Sequence, residues 1–342
     1  MALYQEDALA KQMYEILQKD SAGISASYKY TQAHEKEFRA YDVETLICDD
    51  YFLGLKDTIF PKHLEDIIEL WEERKKRPVN LALLEQSIGS GKSFTASVLT
   101  WLQWYEVATY YNPQQAFGLA DGSTIAMMTM SRTESQARRV IFSDVYKRFQ
   151  TPFNRDYFPP NPRFSKEIQI EQNNTVVYAG TSSELSALGY NLYSAVIDEA
   201  NFLEVVEGSR KSEGSVYDAA EAMYNAVMNR MTSRFMKAGR VPGFIIMISS
   251  RKSRDSFMEK KIKEAVIRQD DPNLEIFYKV RSLWQAKPKE FFPSNKFFYL
   301  DTDSYDKMDP GFGEKLYNIQ KKLLQAKKFR GELEPEDIGL EE

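Results

Sequence analysis

The chain has 342 residues, with 45 lysines and arginines against 50 aspartates and glutamates, and its net charge is −5. This length allows a full hydrophobic core, while the charge excludes a polycation and the single cysteine, Cys48, excludes an internal disulfide framework. No apolar run approaches ~20 residues and the N-terminus carries early acids, so neither a membrane span nor secretion is expected.

The first predicted element is an amphipathic helix near residues 2–19, followed by a polar segment over residues 19–37. A second helix is predicted from Pro61 to Lys76. It precedes an apolar strand that begins near Asn80 and runs into a glycine-rich turn.

That turn has the composition of a phosphate-binding loop, made of Gln86, Ser87, Ile88, Gly89, Ser90, Gly91, Lys92 and Ser93. Its glycines allow backbone N–H groups to face an anion, Lys92 can reach the β- and γ-phosphates, and the Ser93 hydroxyl can bind Mg²⁺. Residues 94–111 lack Gly and Pro, so a helix N-terminus is expected to point at the same phosphates. The full pattern has Gly where this chain has Gln86, and a surface turn that happens to read Gly-Lys-Ser is the alternative.

Beyond this helix, strands and helices are predicted to alternate. In order, the pattern predicts a loop over 112–122, a strand over 124–130, a helix over 133–149, a proline-rich crossing over 151–164, and short β-type runs over 167–171 and 175–178.

A further short apolar strand ends in two adjacent carboxylates, Asp198 and Glu199. A nucleotide hydrolase needs one carboxylate to hold Mg²⁺, the role that suits Asp198, and a second to polarise the attacking water, the role that suits Glu199. The alternative is that both acids begin a helix, where they favour its dipole.

The last part of the pattern is a helix over 216–235 and strands over 244–249 and 275–280. The first of these strands ends in Ser249, Ser250 and Arg251. The hydroxyls of the two serines can contact the γ-phosphate. The alternative is that the serines cap a helix near residues 255–267. The alternation predicts an α/β fold with a mostly parallel central sheet flanked by helices, and nucleotide at the carboxyl ends of its strands.

Together these motifs resemble the ATPase domain of the large terminase subunit, the DNA-packaging motor of tailed bacteriophages. The resemblance covers roughly residues 45–300, with 86–93 as Walker A, 194–199 as Walker B and Ser249-Ser250-Arg251 as the coupling motif. It implies a P-loop NTPase that uses ATP and Mg²⁺ to move double-stranded DNA into a capsid. It also implies a capsid portal protein and a small terminase subunit as partners, assembly as a homo-oligomeric ring, and location in the host cytoplasm.

We expect three parts: a helical and polar appendage over residues 1–45, a P-loop ATPase core over 46–280, and a lid or linker region over 281–342. The family's nuclease domain is not expected, because only about forty residues follow the acids near Asp301. The expectation is therefore either a truncated form of such a protein or an ATPase-only motor, and the sequence does not distinguish the two.

The chain departs from the family in two places. The family's loop often carries an arginine, which this loop lacks, so Arg138 or Arg139, with Arg234 in reserve, is expected to act from a neighbouring subunit; a surface role is the alternative. At the place of the family's adenine-reading glutamine stands His63, which either contacts the adenine or is a plain surface histidine.

Basic residues cluster within residues 251–268 and 315–330, and either run is a candidate DNA-binding surface or a solvated helix face. Two other functions stay open. A helicase-like ATPase is expected to need a second ATP-binding lobe, for which little room follows residue 280. A nucleotide-gated docking module without turnover has no need of Glu199.

Overall fold

The computed structural model describes residues 37–131, 142–161, 167–180, 190–203, 205–206, 217–237, 239–251 and 256–291. The chain divides into two compact units, residues 1–283 and 284–342, and the second is described only over residues 284–291. No helix in the described ranges is long and apolar enough to cross a membrane.

Helices and strands alternate along the described chain. The helices are α1 (Val43–Cys48), α2 (Pro61–Lys76), α3 (Lys92–Ala108), α4 (Pro113–Ala116), α5 (Ser143–Arg148), α6 (Pro152–Tyr157), α7 (Ala219–Phe235), α8 (Phe257–Ile267) and α9 (Leu283–Ala286). The strands are β1 (Leu81–Gln86), β2 (Ile125–Met130), β3 (Glu167–Ile170), β4 (Thr175–Gly180), β5 (Asn191–Asp198), β6 (Val205–Val206), β7 (Tyr217–Asp218), β8 (Ile245–Ser249) and β9 (Ile276–Arg281). Single 3₁₀ turns follow β3, β5 and α9, at Glu171–Asn173, Ala200–Phe202 and Lys289–Phe291.

A seven-stranded sheet in the order β3-β4-β2-β5-β8-β1-β9 organises the first unit. All neighbouring strands are parallel except β3, which pairs antiparallel with β4 at one edge. The central strands β1, β2, β4 and β8 are buried along their whole length, as expected for a parallel sheet covered on both faces. A separate two-stranded ribbon joins β6 and β7.

The strand register brings the predicted motifs to one edge of this sheet. Strand β8 lies between β1 and β5, with Glu85 opposite Ser249 and Asp198 opposite Ile248. Since parallel strands end at the same edge, the loop after β1, the acids after β5 and the serines at the end of β8 are neighbours. The predicted α/β fold with a mostly parallel sheet is therefore confirmed.

Helix α3 is buried on nearly all sides, so the structure holds it firmly. The indole of Trp101 donates to Asn154 Oδ1 at 2.9 Å, and that of Trp104 donates to Thr175 Oγ1 at 2.9 Å. Gln103 Nε2 donates to the Phe244 carbonyl at 2.9 Å. These bonds satisfy polar groups inside the core and fix where the N-terminus of α3 points.

Most predicted elements lie within a few residues of the observed ones, and α2 has the predicted bounds. The proline-rich crossing over 151–164 is wrong in its first half, because Pro152 occupies the first turn of α6. Thr151 caps that helix by accepting a hydrogen bond from Asn154 N at 3.2 Å.

Several predicted segments lie outside the described residues. They are the helix over 2–19 with the polar segment after it, most of the helix over 133–149, and the basic and acidic runs beyond residue 291.

Candidate nucleotide-binding site

The loop between β1 and α3 has the backbone of a phosphate-binding turn. Gly89 and Gly91 have φ angles of 78° and 96°, in the left-handed region that side chains other than glycine rarely adopt. Helix α3 begins at Lys92, and its N-cap, Gly91, has no side chain to occupy the first N–H groups of the helix. Those donors and the helix dipole together favour an anion at this position.

A buried hydrogen-bonded brace of Gln86, His63 and Ser90 supports the loop from below. His63 Nε2 lies 2.6 Å from the Ser90 carbonyl, Gln86 Nε2 lies 3.3 Å from His63 Nδ1, and Ser90 Oγ donates to Gln86 Oε1 at 3.3 Å. A carbonyl only accepts, so Nε2 of His63 carries the proton and Nδ1 accepts from Gln86. Burial lowers the pKa of His63, in keeping with this neutral tautomer.

This brace corrects the expectations for His63. The side chain is 1% exposed, so it is not a surface histidine, and both ring nitrogens already contact the loop, so neither is free for an adenine edge. The brace also explains why this chain has Gln86 where the loop pattern has Gly. The Gln86 side chain points into the protein and bonds two other members of the brace.

Lys92 connects the loop to the end of β8. Its Nζ donates to Ser250 Oγ at 2.8 Å and lies 3.4 Å from the Ser87 carbonyl. One cation therefore faces both the loop and the predicted coupling motif. Within the loop, Ile88 is 77% exposed at the apex, whereas Ser93 is half-buried in the first turn of α3.

Asp198 ends β5 in a buried position, 5% exposed. Burial, and secondly the negative charge of Glu199, raise the pKa of Asp198 to about 6. Its Oδ1 has no hydrogen-bond partner within the described residues. A nearby divalent cation satisfies such an oxygen and favours the ionised carboxylate.

Glu199 has a φ of 54°, an uncommon and strained conformation for a residue with a side chain. A single 3₁₀ turn, Ala200–Phe202, follows it instead of an α-helix. The alternative that these acids begin a helix therefore does not describe this segment. Strain of this kind often occurs where a side chain must be aimed at a reacting group.

Asn201 links the acids to the end of β8, a role that no sequence motif indicates. Its backbone N–H donates to Ser249 Oγ at 3.1 Å, and its Nδ2 donates to the Ser250 carbonyl at 3.0 Å. Ser249 and Ser250 thus bond to Asn201 and to Lys92 and do not cap a helix. The cap of α8 is Ser256, whose side chain accepts from Glu259 N.

Arg251 lies over a buried pair of acids that no motif indicates either. Its Nε is 2.6 Å from Glu259 Oε1 and 3.3 Å from Glu85 Oε1, and the two glutamates are 3% and 2% exposed. Burial comes first among the causes that raise the pKa of Glu85 to about 7, followed by the hydrogen bond that its protonated carboxyl donates to Glu259 and by the negative charge of Glu259. Burial by itself raises the pKa of Glu259. The hydrogen bonds that Glu259 accepts from Arg251 and Glu85 outweigh burial, so the pKa is lowered overall.

The remaining predicted residues are only partly placed. Arg138 and Arg139 lie outside the described residues, as do Lys252 and Arg254 of the basic run. Arg234 is exposed in the last turn of α7, where a cation favours the helix dipole. Lys260 and Lys263 are exposed on α8, and Lys261 pairs with Glu264 at 2.8 Å.

Comparison with solved structures gives similar folds in large terminases of bacteriophages. The large terminase of bacteriophage HK97 aligns with a TM-score of 0.50 at 14% identity, covering 81% of this chain and 53% of that one. The large terminase of the thermophilic bacteriophage D6E aligns with a TM-score of 0.42 at 11% identity, covering 68% and 48%. The chain thus spans about half the length of these proteins. The predicted resemblance to large terminases is confirmed at the level of the fold.

The sequence itself also has a family match. A search of curated proteins with this sequence gives no match. Residues 24–305 match the family described as "Uncharacterized protein MJ0330, N-terminal P-loop domain". Because this match takes in most of the chain and includes the loop, the acids and the serines just described, the chain belongs to that P-loop domain family.

Proposed function

We propose that this chain is an ATP-hydrolysing motor domain that moves double-stranded DNA, in the manner of the terminases that drive viral DNA into a capsid. The observation that carries the proposal is the bond from Lys92 to Ser250, next to the strand that ends at Asp198. It joins the phosphate-binding loop to the strand end that lies between the loop and the acids.

ATP is expected to bind with its phosphates against the loop and the N-terminus of α3. The first N–H groups of α3 and the ammonium of Lys92 supply positive potential there. The neutral brace of Gln86, His63 and Ser90 keeps the loop in shape without adding charge of its own.

The residues at this edge fit a magnesium ion. Asp198 offers an unpartnered oxygen, and Ser93 offers a hydroxyl in the first turn of α3. Mg²⁺ usually takes one or two protein ligands together with phosphates, so these two oxygens suit it. When bound, the ion neutralises negative charge on the phosphates.

Glu199 is the residue expected to orient and deprotonate the attacking water. It follows Asp198 directly, and its strained backbone gives its side chain a direction that a regular helix start would not give. Asp198 and Glu199 therefore divide the work, one holding the cation and the other acting on the water.

Hydrolysis is expected to reach the rest of the protein through Ser250. A terminal phosphate competes with Ser250 Oγ for Lys92, so its arrival and loss change the bonding of the β8 end. Asn201, which holds the Ser250 carbonyl and the Ser249 hydroxyl, carries the same change to the acids. We extend the proposal to DNA contact by the exposed lysines of α8, to the portal and small terminase subunit as partners, and to a ring assembly.

The test is phosphate release by the purified chain with Mg²⁺ and ATP, with and without double-stranded DNA, and with added portal protein. The proposal expects hydrolysis that rises with DNA and is lost in Lys92→Ala. A rate of hydrolysis that does not change when DNA or portal protein is added would indicate an ATPase without a DNA motor function. Tight ATP binding without turnover under every condition would instead favour the nucleotide-gated docking module.

A further inference from the structure

Arg148, the last residue of α5, packs against the first turns of α3. Its guanidinium carbon lies 4.6 Å from the centre of the Phe94 ring, and its Nε donates to Ser97 Oγ at 3.2 Å. Ser97 Oγ in turn donates to the Phe94 carbonyl at 2.7 Å. These contacts hold the stem of the guanidinium and use one of its five N–H donors.

The charge of Arg148 has no carboxylate partner within ion-pair distance in the described part of the chain. The acid nearest to it in sequence, Asp144, pairs with Lys147 at 2.8 Å. Other partly buried arginines here do have one, as Arg74 has Glu106 and Arg281 has Asp66. Burial lowers the pKa of Arg148, which reflects the cost of holding this cation out of water, while the negative charge of Asp144 acts in the opposite sense.

The position of Arg148 relates it to the phosphate-binding loop. Lys92, Ser93 and Phe94 are the first three residues of α3, and their N–H groups are the ones a helix leaves free for an anion. The Arg148 guanidinium stacks on the ring of Phe94. Ser97 is four residues after Ser93 and hence on the same face, about 6 Å further along the axis.

We propose that Arg148 is a nucleotide-binding residue, which contacts the phosphate chain of bound ATP from the α5 side and supplies, within one subunit, a cation that the loop sequence lacks. The inference rests on the proposed function, since it assigns a further contact in the same site. The two terminal nitrogens of the guanidinium are suited to bidentate contact with phosphate oxygens. Phe94 and Ser97 hold the group in advance, so that little side-chain freedom is lost on binding.

The experiment compares Arg148→Gln, Arg148→Lys and Arg148→Ala with the wild-type chain by calorimetric titration of Mg²⁺-ATP and Mg²⁺-ADP. Gln keeps much of the packing but not the charge, and Lys keeps the charge but not the planar fork. We expect Arg148→Gln to weaken both nucleotides about 10-fold or more, with Arg148→Lys in between. Arg155→Ala, at an exposed arginine of the next helix α6, is the matched control and is expected to bind as wild type does.

Thermal unfolding of each variant separates binding from folding. If Arg148→Ala does not fold, the Gln and Lys variants carry the test. Nucleotide affinity of Arg148→Gln within twofold of wild type would overturn the inference and leave Arg148 as a packing residue. If the wild-type chain binds no ATP, the proposed function fails. If the wild-type chain binds ATP and the Lys92→Ala variant loses turnover, but Arg148→Gln binds nucleotide normally, only this inference fails.

Discussion

Replacing Glu85 by Gln should make the chain more stable at neutral pH and should remove part of the pH dependence of its stability. Glu85 is buried at the end of β1, beside Glu259 and Arg251. Two ionised glutamates against one arginine would leave an unbalanced negative charge in the protein interior. A proton held on Glu85 removes that imbalance, and the amide of Gln imitates the protonated carboxyl while donating to Glu259.

The magnitude follows from the pKa of Glu85, which burial raises from 4.5 to about 7. Below pH 4.5 both folded and unfolded chains hold the proton. As pH rises from 4.5 to 7 the unfolded chain releases it and the folded chain keeps it, so the free energy of unfolding falls. At about 1.4 kcal/mol for each pKa unit, the loss reaches roughly 3 kcal/mol at pH 7 and above.

Urea denaturation of wild type and Glu85→Gln at pH 4.5, 6, 7 and 8 measures this effect. The stability of the variant relative to wild type should rise by about 3 kcal/mol across the series, because Gln cannot ionise. Taking the difference cancels titrations common to both chains, that of Asp198 included. Glu65→Gln, at an exposed glutamate paired with Lys62 on α2, is the matched control and should show a much smaller trend. A Glu85→Gln difference that stays constant with pH would refute the buried proton.

Three further outcomes are expected, two at the nucleotide site and one on α8. Glu199→Gln should abolish phosphate release while ATP affinity by titration stays within a few-fold of wild type, because the amide keeps the shape but cannot accept a proton; turnover near the wild-type rate would remove Glu199 from the mechanism. Ser250→Ala should retain ATP binding but lose DNA packaging, since Lys92 loses its partner at the residue that follows β8; normal packaging would contradict the coupling role. Neutralising Lys260, Lys261 and Lys263 should weaken DNA binding and make the log–log salt slope shallower by up to about 0.9 for each DNA phosphate that is no longer neutralised. Titrations at several salt concentrations measure it, and an unchanged slope would identify these lysines as a solvated helix face.

The sheet and the phosphate-binding loop were predictable because their signals are local. One apolar run ends in Gly-Lys-Ser and another ends in Asp198-Glu199. Each pattern by itself predicts that these polar residues lie at the end of a strand. Parallel strands end at the same edge of the sheet, so the main candidate site residues can be grouped there without knowledge of the packing.

The supporting residues were not predictable from the same signals. In sequence, Gln86 is a departure from the loop pattern. Its role in supporting the loop depends on a hydrogen bond to His63, which lies on the preceding helix. Asn201 depends on serines nearly fifty residues away, and Glu85 depends on Glu259 from α8. Each is an ordinary polar residue in sequence, and only tertiary contact shows which polar groups are buried together.

The ladder of β8 determines where movement can begin. Its last paired residue on one side is Ile248, opposite Asp198, and on the other side Ser249, opposite Glu85. Ser250 is therefore the first residue past both ladders, held by the Asn201 amide and the Lys92 ammonium instead of by neighbouring strands. A displacement that starts there breaks two side-chain bonds and no sheet pairing, so the segment after β8 can move repeatedly while the seven-stranded sheet stays intact.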